Sequence, residues 1–164
     1  HICVILSGCG FLDGAEIHEA VCSLLYISQN GATYEVVAPD KDQHHVVNHH
    51  TGEEQSETRN VRIEAARIAR GAVKDLNEVQ AQNYDALFMP GGFGAAKNLS
   101  DFAVKASKGK VLPVLEKAIK DFHAASKPIA VFCIAPAMLS LERLAKKRLP
   151  KSPMYAPVPL KAIL

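Results

Sequence analysis

Four short apolar runs constrain this chain more than any other feature: Ile2 to Leu6, Tyr34 to Ala38, Ala86 to Met89 and Pro128 to Phe132. Each is close to continuous rather than alternating, the pattern of a strand covered on both faces. Stretches with helical spacing lie between them. Ala15 to Asn30 places Ile17, Val21, Leu24 and Leu25 on one face, with Asp13 as the expected N-cap, Glu16 at the third helical position and Gly31 as the stop. Further helices are expected over Asn60 to Arg70, from Pro113 to about Ala125, and from Pro136 to about Lys147. Residues 41–59 are polar and histidine-rich, and read as a hairpin or excursion around Val46-Val47. Strands alternating with helices imply an α/β fold with a parallel sheet sandwiched between helices.

A length of 164 residues suits one domain, expected to span 1–164. The 48% hydrophobic and 22% charged composition is that of an ordered globular chain. A formal charge of +2 is too small for a dedicated nucleic-acid binder, so no nucleic-acid partner is expected. The longest apolar run, Pro128 to Leu139, is too short to span a bilayer, and no membrane partner is expected either. Cysteines at 3, 9, 22 and 133 have neither C-x-x-C pairing nor zinc-ribbon spacing. Scattered thiols point to a reducing, cytoplasmic compartment, or a mitochondrial one if a leader has been removed.

Ligands of parallel sheets bind beyond the carboxyl ends of the strands. Three unusual segments fall there: Ser7–Gly14, Pro90–Lys97 and Cys133–Pro136. Cys133 follows a buried strand directly, with the small Ala135 and a first-turn Pro136 behind it, as a nucleophile elbow requires. A helix N-terminus there favours thiolate. Taken alone, the segment also suits a buried structural cysteine. Gly91 and Gly92 would let backbone N–H groups face a developing oxyanion, although a plain tight turn fits as well. The same glycines fail as a dinucleotide fingerprint, because Lys97 stands where Gly or Ala is needed, and they fail as a P-loop.

Glu16, His18 and Glu19 open the first helix. A carboxyl group beside a thiolate can donate a hydrogen bond and shuttle protons. Glu19 lies nearly on the apolar face, whereas Glu16 reads as a solvated first-turn acid. His44, His45, His49 and His50 lack a nearby cysteine or a firm helical spacing, so they are expected at the surface, with no metal and no cofactor. Cys9 is a second thiol close in sequence to the same loop cluster.

Together these segments resemble the ThiJ/PfpI superfamily, with its class I glutamine amidotransferase-like, flavodoxin-like fold. Within it they resemble the enhancing lycopene biosynthesis (ElbB) family. The residues that carry the resemblance begin with Ile5-Leu6-Ser7-Gly8-Cys9-Gly10, Asp13-Gly14-Ala15-Glu16-Ile17-His18-Glu19-Ala20 and Asn48-His49-His50-Thr51-Gly52-Glu53. They continue through Glu57-Thr58-Arg59-Asn60-Val61, the Pro90–Ser100 segment and Cys133-Ile134-Ala135-Pro136. The resemblance covers His1 to about Leu139.

It implies a glyoxalase III-type activity on a small dicarbonyl, without glutathione or metal. Cys133 matches the superfamily's nucleophile and Glu19 its partner carboxyl group. Gly92 and the Ile134 N–H match its oxyanion donors. Ile134 stands where many members carry a histidine, which argues against a protease-like triad. A homodimer is expected. The alternatives are a thiol redox sensor and an accessory protein in isoprenoid metabolism. After Leu139 the chain departs from the family pattern into a basic stretch and a proline-rich tail, so the C-terminal part of the fold is expected to be incomplete.

Overall fold

The structure, a computed structural model, describes residues 1–141. Five parallel strands form the main sheet: β1 (Ile2–Ile5), β2 (Tyr34–Ala38), β5 (Val73–Asp75), β6 (Ala86–Met89) and β7 (Ile129–Val131), in the order β5-β2-β1-β6-β7. β3 (Val46–Val47) and β4 (Glu54–Gln55) make a separate antiparallel pair, the hairpin expected in the polar excursion. The helices are α1 (Ile17–Gln29), α2 (Val61–Ala69), α3 (Phe93–Lys97), α4 (Phe102–Lys105), α5 (Pro113–Ala124) and α6 (Pro136–Leu141).

Two apolar clusters cover the two faces of the sheet. Val4, Leu6, Val36 and Ala38 point to the side of α1 and α2, meeting Ala20, Leu24, Ile27 and Ala65. Cys3, Ile5, Val37, Leu87 and Met89 point to the other, meeting Leu115, Ile119, Phe122 and Met138. Neighbouring residues of one strand thus serve opposite cores, which is why β1 reads as a continuous apolar run.

The structure corrects several sequence expectations. α1 starts at Ile17 and its N-cap is Glu16, whose carboxylate accepts from the Glu19 N–H. Asp13 is instead buried, and its Oδ2 accepts from Val47 N–H at 2.7 Å, tying the hairpin to the first loop. The inward face of α1 is Ala20, Leu24 and Ile27, while Ile17, Val21 and Leu25 form an exposed stripe. β7 is half-buried throughout rather than fully covered, and it is an edge strand among the described residues. β5 was not legible in advance; it is three residues long, and Lys74 interrupts its apolar pattern. The expected continuation of α6 to Lys147 and the proline-rich tail lie outside the described residues.

Candidate active site

β1, β6 and β7 end side by side, and their carboxyl ends open into the three loops singled out above. The β6–α3 turn lies hard against the loop that enters α1. A Cβ at Gly92, which adopts φ +90°, would meet Gly14 O at 2.5 Å and Ala15 C at 2.8 Å. Phe93 N–H donates to Phe11 O at 2.7 Å and Gly94 N–H to Gly14 O at 2.8 Å. Asn98 fastens the assembly from behind: its buried Nδ2 donates to Ser7 O at 2.9 Å and Asp13 O at 2.7 Å, and its Oδ1 accepts from His44 N–H at 2.8 Å.

Cys133 stands between β7 and α6 with φ +53°, a left-handed conformation that a non-glycine residue adopts at a cost of roughly 1–3 kcal/mol. The turn is held by Phe132 N–H donating to Met89 O at 3.1 Å and Ala135 N–H to Phe132 O at 2.9 Å. The thiol is exposed, so the buried structural cysteine that the segment alone allowed does not describe it. Cys133 thus sits on a sharp strand-to-helix turn.

Glu19 reaches the same spot from α1. Its Oε2 accepts from the Gly91 N–H at 2.7 Å. A Cβ built at Gly91 would lie 2.8 Å from that oxygen and 3.0 Å from Cys133 Sγ, so thiol and carboxylate flank one glycine. This engagement alters the part expected of Gly91: its N–H is directed at Glu19 rather than toward a substrate oxygen.

Glu16 is the residue that sequence reasoning undervalued. Three hydrogen bonds close a ring through it: Glu16 N–H to Gly91 O at 3.0 Å, Gly91 N–H to Glu19 Oε2, and Glu19 N–H to Glu16 Oε2 at 2.7 Å. His18 Nδ1 lies 2.9 Å from Glu16 Oε1. Burial raises the Glu16 carboxyl, but the bonds from His18 and the Glu19 N–H outweigh it and hold the group below its ordinary value. The available signal was the spacing of Glu16 and Glu19, which lets a side chain at the helix start cap the N–H three residues on.

A cavity of about 160 Å³ opens beside the thiol, lined by Phe11, Glu16, Gly92, Phe93, Cys133 and Ile134. Neither phenylalanine was singled out from sequence. Lys97 lies behind Phe93, its Nζ 5.1 Å from the ring centroid, where it donates to Leu12 O at 2.8 Å and lies 2.9 Å from His45 Nε2. Burial holds its ammonium below the ordinary lysine range, partly offset by the charges of Asp13 and Glu54.

The histidines brace loops. His49 packs edge-on to Phe11 at 5.5 Å and accepts from Leu12 N–H at 3.2 Å. Among the described residues, no group of three His, Cys, Asp or Glu side chains is placed to hold a metal. Burial, with the charges of Glu64 and Asp13, pushes the Cys9 thiol above its ordinary value despite Arg67.

A model of the DJ-1/PfpI family matches residues 9–150. The chain is 50% identical over 138 residues to the human glutamine amidotransferase-like class 1 domain-containing protein 3, mitochondrial, covering 84% of this chain and 52% of that protein. It is 38% identical over 143 residues to the mitochondrial ES1 protein of Danio rerio, covering 84% of this chain and 53% of that protein. The chain therefore spans about half the length of the curated relatives it matches.

Among solved structures, an isoprenoid biosynthesis protein with an amidotransferase-like domain from Ehrlichia chaffeensis superposes with a TM-score of 0.81 at 40% identity. That likeness covers 85% of this chain and 67% of that one. A ThiJ/PfpI domain protein from Brachyspira murdochii, at 14% identity, 87% and 63% coverage and a TM-score of 0.53, shares the fold.

Proposed function

The chain belongs to the DJ-1/PfpI family, and on that premise we propose that it is a glyoxalase III-type enzyme using Cys133 as nucleophile and Glu19 as proton carrier. The observation that carries this reading is the convergence of Cys133 Sγ and Glu19 Oε2 on Gly91, with Cys133 also lining a small cavity.

In this mechanism the Cys133 thiolate adds to an aldehyde carbon of glyoxal or methylglyoxal, forming a C–S bond and an alkoxide. The N–H groups of Gly92 and Ile134 are assigned to that oxygen. The alkoxide takes up a proton. Glu19 then removes the proton from the sulfur-bearing carbon, the electron pair passing to the second carbonyl, whose oxygen takes up a proton from water. Glu19 returns its proton to that neighbouring carbon as the first carbon's hydroxyl gives up its own. One carbon is oxidised and its neighbour reduced, so no external oxidant, metal or glutathione is required. The product is a thioester, and water hydrolyses it to the 2-hydroxy acid and frees the thiol.

Glyoxal consumption by the wild type, Cys133→Ser and Glu19→Gln tests the assignment. Both variants are expected to lose at least about a hundredfold in turnover, the scale of a deleted nucleophile or proton carrier. Turnover unchanged in Cys133→Ser would overturn it.

A second reading is an accessory or thiol-sensing role in isoprenoid metabolism, favoured by what the Ehrlichia chaffeensis relative is and by the exposure of Cys133. The finer assignment to the ElbB family belongs with that reading. We further assign the chain to the mitochondrion, from the curated relatives, and to a homodimer, from the exposed Ile17, Val21 and Leu25 stripe on α1.

A further inference from the structure

We propose that the cavity beside Cys133 is the seat for a compact apolar group, no larger than a benzene ring, carried by the compounds this thiol meets. The substrates it favours are then 2-oxoaldehydes bearing an aryl or branched alkyl group, ahead of glyoxal, which has no such group. This inference rests on the cysteine chemistry proposed above.

Cys133 belongs to two surroundings at once. Its sulfur approaches Gly91 and, across that glycine, the Glu19 carboxylate. It also lines the cavity, to which Glu19 does not contribute. A 2-oxoaldehyde has to keep both carbonyl carbons within reach of Glu19 while one of them is bonded to sulfur. What is left to enter the cavity is the substituent on the second carbon.

The walls suit a carbon group. Phe11, Phe93, Ile134 and Gly92 surround the space with the cysteine, and the surface it presents is apolar throughout. Glu16, the sixth lining residue, brings no charge to that surface. Its Oε1 lies 2.9 Å from His18 Nδ1, and its Oε2 accepts from the Glu19 N–H. A polar substituent placed here would lose water and gain no hydrogen bond.

Size narrows the class. The cavity measures about 160 Å³. An apolar cavity of about 150 Å³ lined by leucine, isoleucine and phenylalanine takes up benzene. Pockets for whole drug-sized molecules begin at about 300 Å³, so a long chain or a fused ring system finds no room.

Phe11 and Phe93 are 47% and 43% exposed, leaving apolar surface that a bound ring would cover. Both are braced from elsewhere in the molecule. His49 packs edge-on to Phe11 at 5.5 Å, and the Lys97 ammonium lies 5.1 Å from the Phe93 centroid. The walls stand ready before a ligand arrives, which lowers the ordering cost of binding.

The seat can be read without turnover, by alkylating the folded protein with N-phenylmaleimide or N-methylmaleimide and following the Cys133 peptide by mass spectrometry. Both reagents are uncharged and share one reacting group. The wild-type rate ratio, phenyl over methyl, is expected to exceed that of free cysteine by about tenfold, the low end of what a hydrophobic pocket returns for added carbon. Phe93→Ala, which removes one wall, should bring the ratio to within about twofold of free cysteine. The kcat/KM for phenylglyoxal should likewise exceed that for methylglyoxal by about tenfold, chiefly through a lower KM.

A wild-type maleimide ratio equal to that of free cysteine would overturn the proposal, as would a folded Phe93→Ala protein that keeps the wild-type ratio. The wild-type comparison decides even if the variant fails to fold. Methylglyoxal turned over as efficiently as phenylglyoxal would overturn it too, and leave the glyoxalase reading standing. If neither dicarbonyl is consumed while the maleimide ratio behaves as stated, the glyoxalase reading falls and the apolar seat stands.

Discussion

Cys133 and Gly91 are packed so closely that position 91 admits no side chain: the first carbon of one would press on Cys133 Cβ and lie 3.0 Å from its sulfur. Glu19 Oε2 closes the other side at 2.8 Å. Gly91→Ala must therefore displace the Cys133 thiol or the Glu19 carboxylate. We expect a loss of about 1–3 kcal/mol in folding stability, as for an overpacked core site. Glyoxal turnover should fall by at least about tenfold, because a shift of an ångström misaligns reacting groups. Denaturant titration and activity assay check both, and a variant matching the wild type in each would contradict the geometry.

Alkaline stability should report on Cys3. It is fully buried in β1, and burial, with the Glu35 charge, pushes its thiol from an ordinary 9.0 up to about 12. Between those values the folded chain keeps the proton and the unfolded chain loses it. The unfolded state then binds fewer protons, so stability falls as pH rises, by about 1.4 kcal/mol per pH unit for this group. The Tyr84 hydroxyl, raised by burial and by its bond to Glu35, adds to the decline above its own ordinary value. Denaturant titrations across this range should show a slope shallower by about one proton in Cys3→Ala than in the wild type. Equal slopes would show that the thiol titrates alike in both states.

The α1 stripe of Ile17, Val21 and Leu25 is 41%, 46% and 54% exposed, one residue per turn along the helix. If a second copy covers it, Val21→Glu should convert a dimer to a monomer in sedimentation while leaving the fold intact. A wild type that is monomeric at micromolar concentration, or a variant that stays dimeric, removes this surface from the interface.

Much of this architecture was legible because burial on both faces leaves a mark in composition. Ile2 to Leu6 and Ala86 to Met89 have apolar residues wherever a polar one would have revealed a wet face, and both are central strands. The strand-to-helix turn at Cys133 was legible for a related reason, since the apolar run from Pro128 leads through the cysteine to a proline suited to a first helical turn, but the segment by itself served a buried structural cysteine as well. Helix faces were harder. Ile17, Val21 and Leu25 satisfy helical periodicity as well as Ala20, Leu24 and Ile27 do, and a larger residue attracts the assignment even when the small Ala20 is what the sheet can accommodate. Glu16 was misread because its role depends on where the β6–α3 turn comes to rest, a tertiary fact with no local signature. Asp13 was misread for the same reason, being drawn to the hairpin more than thirty residues away.

The ring joining Glu16, Gly91 and Glu19 has a mechanical meaning. Each residue is fixed by the next, and the third returns to the first. Such a closed linkage cannot slacken at one joint: tilting the Glu19 side chain pulls on the Gly91 amide, whose carbonyl holds the backbone of Glu16, whose carboxylate caps Glu19. The Glu19 carboxylate is thus held in one place against Gly91 before any ligand arrives, and the conformational freedom its side chain would otherwise surrender on meeting one has already been surrendered in folding.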